Sequence, residues 1–234
     1  MPSKKLTYRR NQMEWALWRL FSGGNFSDSE APKVFLTRIK RLLDLDRETE
    51  LYEDSETPHA RYAFCESPPE GQGIDAQYTG FDVLCLAIGL DLLDSGFKQS
   101  EILFLLRHTR SSLKRRYRRI LLHPPVPYHQ LISSDRPNCP TYEEDGLLWA
   151  DCRVYMTLSK VEMKEVFPMG RSGKGKKSPV IFSPKFYFGR EALCKKLDEL
   201  DSQRRKLLVI EIAEMIVVLT DHLEKAPLIK RGRK

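Results

Sequence analysis

Gly170, Gly175 and Lys176 stand at the spacing of a phosphate-binding loop, G-x-x-x-x-G-K, within MGRSGKGKKS at 169–178. Such a loop cradles phosphates on backbone amides and needs a Ser or Thr hydroxyl after the lysine to hold magnesium. Lys177 occupies that place. A working loop also leaves a buried strand and opens a helix, whose N-terminus shares the phosphate charge. Here the charged run KVEMKE precedes it, and Pro179 and Pro184 follow within an aromatic, strand-like stretch. Nucleotide hydrolysis is not expected. The segment reads first as a connection between two strands; an intermediate reading, which needs no catalysis, has Arg171, Lys174, Lys176 and Lys177 contact nucleic-acid phosphates without regard to sequence.

No other constellation promises catalysis. His59, His108, His123, His129 and His222 fall in no metal-ligand or nucleophile-activating spacing. Glu143, Glu144 and Asp145 form an acidic turn. The five cysteines, Cys65, Cys85, Cys139, Cys152 and Cys194, are odd in number and contain no C-x-x-C pair, which points to reduced, structural thiols. The expectation is a protein with no catalytic residues, no metal and no cofactor.

The densest chemical signal is basic. Residues 107–119, RHTRSSLKRRYRR, hold Arg107, Arg110, Lys114, Arg115, Arg116, Arg118 and Arg119 and no acid. On a helix, Arg107, Arg110, Lys114 and Arg118 share a face beside an apolar strip of Leu106, Leu113, Tyr117 and Leu121. Like charges in that array repel, and a polyanion would relieve the cost while releasing its counterions. The net charge of +7 agrees with an anionic partner.

Several elements must position these residues. TYRRNQMEWALWRLF at 7–21 has helical apolar spacing and stops at Gly23-Gly24; KVFLTRIKRLLDLDRE at 33–48 is a helix with a basic exposed face. RYAF at 61–64 and IDAQY at 74–78 read as two short strands around a turn-rich segment. Thr79 and Asp82 form a capping box before an apolar helix that Gly96 closes, and a second helix runs from about residue 99 toward Pro124-Pro125, with a possible break at Thr109–Ser112. Prolines at 124, 125, 127, 137 and 140 mark 123–141 as a linker. Beyond it, 153–158 has strand character, Pro184 assigns 180–188 to an edge strand, and 190–223 carries a long helical stripe interrupted near Arg204. No apolar window reaches the roughly eighteen residues that span a bilayer, and no secretory signal is visible.

QYTGFDVLCLAIGLDLLDSGFKQSEILFLLR resembles the second half of a MerR-type winged-helix DNA-binding domain, through Tyr78-Thr79, Gly96-Phe97, and Glu101-Ile102 with Leu105-Leu106. The resemblance spans roughly residues 8–107. It implies that the helix at 33–46 is the recognition helix, that RYAF and IDAQY form the wing, and that the long C-terminal helix pairs two copies. It further implies that Thr37, Arg38, Lys40 and Arg41 approach base edges in the major groove, with Lys33 in the same DNA-contacting set. Arg61 and the cluster Arg107, Arg110, Lys114, Arg115, Arg118 and Arg119 would then hold backbone phosphates.

The sequence therefore predicts a mainly α protein with small β elements. Residues 1–122 form an N-terminal winged helix, 123–141 a linker, and 142–234 an α+β region with a long terminal helix and a basic tail. The expected function is a cytoplasmic, sequence-specific transcriptional regulator that binds double-stranded DNA as a homodimer through residues 190–223, without membrane contact. The alternative is an architectural protein that coats nucleic acid without reading its sequence.

Overall fold

The computed structural model describes residues 6–23, 30–49, 60–66, 76–125, 142–144, 147–149, 153–159, 184–198 and 207–228. The chain is mainly helical with small antiparallel sheets. Strand β1 (Thr7–Arg9) runs directly into helix α1 (Arg10–Ser22), which buries Met13, Ala16 and Leu17 at i, i+3, i+4 and ends at Gly23 in the left-handed conformation, φ 61°. Helix α2 (Lys33–Glu48) buries Ile39, Leu42, Leu43 and Asp46, one stripe at the same spacing. Strand β2 (Gln77–Thr79) leads into α3 (Gly80–Asp94) and pairs antiparallel with β1, Tyr8 opposite Tyr78.

α3 is apolar on every side, so it must be the centre of the molecule. Both ends are fixed locally. The Asp82 amide donates to Thr79 Oγ1 at 3.2 Å while Asp82 Oδ2 accepts from the Thr79 amide at 2.9 Å. At the other end Gly96, φ 83°, turns the chain; its amide donates to the Leu93 carbonyl and that of Phe97 to the Leu92 carbonyl, both at 3.0 Å. Helix α4 (Gln99–Leu122) then runs unbroken for 24 residues. Thr109 and Ser112 do not interrupt it, because their hydroxyls donate back to the Leu105 and Thr109 carbonyls.

A hairpin, β3 (Tyr142–Glu144) with β4 (Leu147–Trp149), precedes a three-stranded antiparallel sheet of order β6-β5-β7, formed by β5 (Val154–Ser159), β6 (Lys185–Phe188) and β7 (Leu207–Glu211). β6 lies at the edge, where Pro184 is tolerated. Helix α5 (Gly189–Asp198) follows β6, and α6 (Ile212–Lys225) follows β7, its first amides received by the Glu211 carboxylate.

Three expectations are corrected. Residues 60–66 form no strand, and Gln77–Thr79 pairs with Thr7–Arg9 instead of with RYAF, so no wing hairpin is built from those segments. The stretch 190–223 is not one helix: strand β7 separates α5 from α6. The apolar side of α6, Ile212, Ala213, Ile216, Leu219 and Leu223, is buried against the chain's own core, so it is not free to pair with a second copy. Nor does 123–141 separate two cores: α6 packs on α1, α3 and α4, and one buried cluster runs from Tyr8 through α3 to Val154, Met156 and Leu223. Each fully buried Leu or Ile in it contributes about 1.5–3 kcal/mol. The glycine-rich loop with Lys174 and Lys176, the stretch 160–167 and the tail 230–234 lie outside the described residues.

Candidate nucleic-acid interface

The exposed side of α2 follows from what its other side buries. Ile39, Leu42, Leu43 and Asp46 face inward, which turns Lys33, Thr37, Arg38, Lys40 and Arg41 toward solvent. An edge contact of Phe35 with Trp18 (5.4 Å between centroids) and a tilted one with Phe21 (5.9 Å) fasten the first turns of α2 to α1. Lys33, Lys40 and Arg41 form no ion pair among the described residues. Thr37 Oγ1 donates to the Lys33 carbonyl at 2.7 Å. Arg38 differs from its neighbours: its Nη1 lies 2.6 Å from Asp94 Oδ1 at the end of α3, and both side chains are about half exposed. Five of the residues assigned to DNA contact thus share one helix, with Arg38 already engaged.

The basic stretch of α4 does not form a second such surface. Arg107 is 3% exposed and pairs with Asp46 at 2.8 Å, while donating to the Asp46 and Thr49 carbonyls at 2.7 and 3.1 Å. Arg110 is buried between the Asp82 carboxylate and the Ala63 carbonyl, and its guanidinium lies 4.9 Å from the Phe81 ring centroid. Neither guanidinium reaches solvent, so the expectation that Arg107 and Arg110 hold phosphates is corrected. Lys114 is half-buried and paired with Glu66. Arg116 packs over Phe186 at 4.0 Å and Phe188 at 5.7 Å, joining α4 to β6. Arg119 is half-buried, leaving Arg115 and Arg118 as the exposed guanidinium groups of the stretch. Arg61 is exposed, its guanidinium 5.4 Å from the Tyr62 ring centroid.

Sequence reasoning missed Asp46, and it placed Asp82 in a capping box without its pairing to Arg110. Their partners lie 61 and 28 positions away, beyond any local pattern. One signal was present: Asp46 continues the buried stripe of Ile39, Leu42 and Leu43, and a carboxylate on such a stripe requires a buried cation.

The remaining titratable groups argue for structure. Burial pushes the Cys65 thiol up to about 11 and the Cys85 thiol to about 12, with Asp46 and Asp82 adding to both shifts, so both are neutral thiols near pH 7 and unsuited to nucleophilic attack. A shallow groove between the end of α3 and β7 holds Asp91, Asp94, Glu211 and Met215. Among the described residues no group of three or more His, Cys, Asp or Glu could hold a metal ion, and no helix is long and apolar enough to cross a membrane. Comparison of the chain with protein-family models, curated proteins and solved structures finds no match.

Proposed function

We propose that the chain binds double-stranded DNA by seating the exposed side of α2 in the major groove, and that it acts in the cytoplasm as a transcriptional regulator. The observation that carries this reading is the alignment of Lys33, Thr37, Lys40 and Arg41 on one solvent-facing side of a helix whose other side is packed into the core. A helix so mounted can approach a groove without rearrangement. Lysine and arginine supply phosphate attraction and bidentate contact to guanine, and a threonine hydroxyl is compatible with any base edge. The resemblance of 77–107 to the MerR-type winged helix supports the regulator part of the reading.

Substituting Lys33, Lys40 and Arg41 together by alanine tests it. The triple variant is expected to keep its helical circular dichroism. Its affinity for a labelled duplex should fall at least roughly tenfold, and the slope of log K against log salt by about two to three. Unchanged affinity and slope in a folded variant would refute the reading. Competition with random duplex then separates a regulator, which keeps a preferred site, from an architectural protein, which does not.

A further inference from the structure

α3 ends on acids that its own backbone disfavours. The last turn carries Asp91 and Asp94 and no basic residue, so both carboxylates stand at the negative end of the helix dipole. Compensation for Asp94 comes from α2, which packs on α3: Arg38, 56 positions away in sequence, brings Nη1 to 2.6 Å from Asp94 Oδ1. Both side chains are about half exposed, and an ion pair so open to solvent adds little to stability. What it does fix is the direction of one arginine on the exposed basic side of α2, one turn from Arg41.

A guanidinium presents its N–H donors in a planar fork, and Asp94 occupies only the Nη1 corner. Nε and Nη2 form no hydrogen bond among the described residues. Those two atoms make the side-on edge that meets paired acceptors lying in one plane. In a duplex such acceptors are guanine O6 with N7 in the major groove, or two oxygens of a phosphate. Asp94 separates these ligands. Its charge offsets that of Arg38 and repels a phosphodiester chain, whereas an uncharged base edge meets no such repulsion. Holding Nη1 also removes rotamer freedom that a long side chain otherwise loses on contact.

We propose that Asp94 is a positioning residue that determines specificity for the duplex engaged by α2: it withholds Arg38 from phosphate and presents the Nε–Nη2 edge to a guanine. The inference rests on the reading of α2 given above and adds the base that Arg38 reads. Asp94 thereby lowers affinity for duplex in general and raises the preference for one G·C pair. An ion pair with a structural role alone would not move these two quantities in opposite directions.

The test presents the full chain with a pool of randomised duplexes, whose bound and input sequences are compared, and separately with a duplex of A·T pairs alone, which offers backbone but no guanine. The wild-type chain should enrich guanine at one position, and Arg38→Gln should abolish that enrichment. Asp94→Asn should bind the A·T duplex roughly threefold tighter, because a repelling charge is gone. The same variant should lose the guanine preference by roughly tenfold. Arg38→Lys, which keeps the charge without the fork, should retain the salt slope on the A·T duplex and still lose the preference. Guanine enrichment unchanged in Asp94→Asn, or weaker binding of the A·T duplex by that variant, would overturn the proposal. So would a wild-type chain that shows no guanine preference yet loses duplex affinity when Lys33, Lys40 and Arg41 are replaced by alanine. A wild-type chain that binds neither the pool nor the A·T duplex would overturn the reading of α2 instead.

Discussion

Asp91, near the end of α3, shows how a single carboxyl reports its surroundings. Burial first, and the neighbouring Asp94 second, push it up to about 6. An acid whose folded value lies above its unfolded one is most stabilising when neutral: that stability is complete below about pH 4 and is lost as pH rises through about 6. Because the side chain is part-exposed, solvent screening reduces the effect to about 1 kcal/mol. Asp91→Asn should therefore raise the unfolding free energy by about 1 kcal/mol at about pH 8 and leave it nearly unchanged at about pH 4. Denaturant titrations at the two pH values check this; equal stabilisation at both would show that the carboxyl does not titrate in that range. The same dependence on distant neighbours governs Arg107 and Arg110. Their basic character is plain in the sequence, but whether they meet phosphate or carboxylate is decided by Asp46 and Asp82, which only the fold brings to them.

Gly80 opens α3 where α4 and α6 converge on it. A Cβ there would lie 2.5 Å from Tyr117 Oη, with the ring carbon that bears the hydroxyl at 3.7 Å. Tyr117 cannot swing aside freely, because its ring packs on Phe81 with centroids 5.5 Å apart. Gly80→Ala should destabilise the protein by about 1–3 kcal/mol through overpacking. Adding Tyr117→Phe should restore most of that loss, since only the hydroxyl is in the way; a double-mutant cycle measures the coupling, and strict additivity would contradict the packing described. α3 itself was legible in sequence from its capping box, its Gly96 stop and its unbroken apolarity. β7 was not. LLVIEIAEMIVVL satisfies helical spacing throughout, and Val209 and Ile210 became strand because β5 offers Thr157 and Met156 as pairing partners, a choice made by tertiary contact. RYAF failed as a strand for the converse reason: its amides go to Asp46 and its carbonyl to Arg110.

At the scale of the whole molecule, the chain closes around α3 as a single core, to which both ends contribute: β1 and α1 from the start, α6 from the finish. The proline-rich stretch marks a long connection, but α6 returns to the first helices, and composition carries no sign of that return. Charge was likewise legible in amount and misleading in place. The net charge of +7 is real, yet the most concentrated basic run buries Arg107 and Arg110 and leaves only Arg115 and Arg118 exposed, and the exposed positive surface with the simplest geometry belongs to α2. The central claim is that this helix meets the duplex. Acetylation of lysines in the free and duplex-saturated protein, read by mass spectrometry, addresses it most directly. The account predicts that duplex shields Lys33 and Lys40 while exposed Lys195 on α5 stays equally reactive; Lys33 and Lys40 acetylated at the same rate with and without saturating duplex would contradict it.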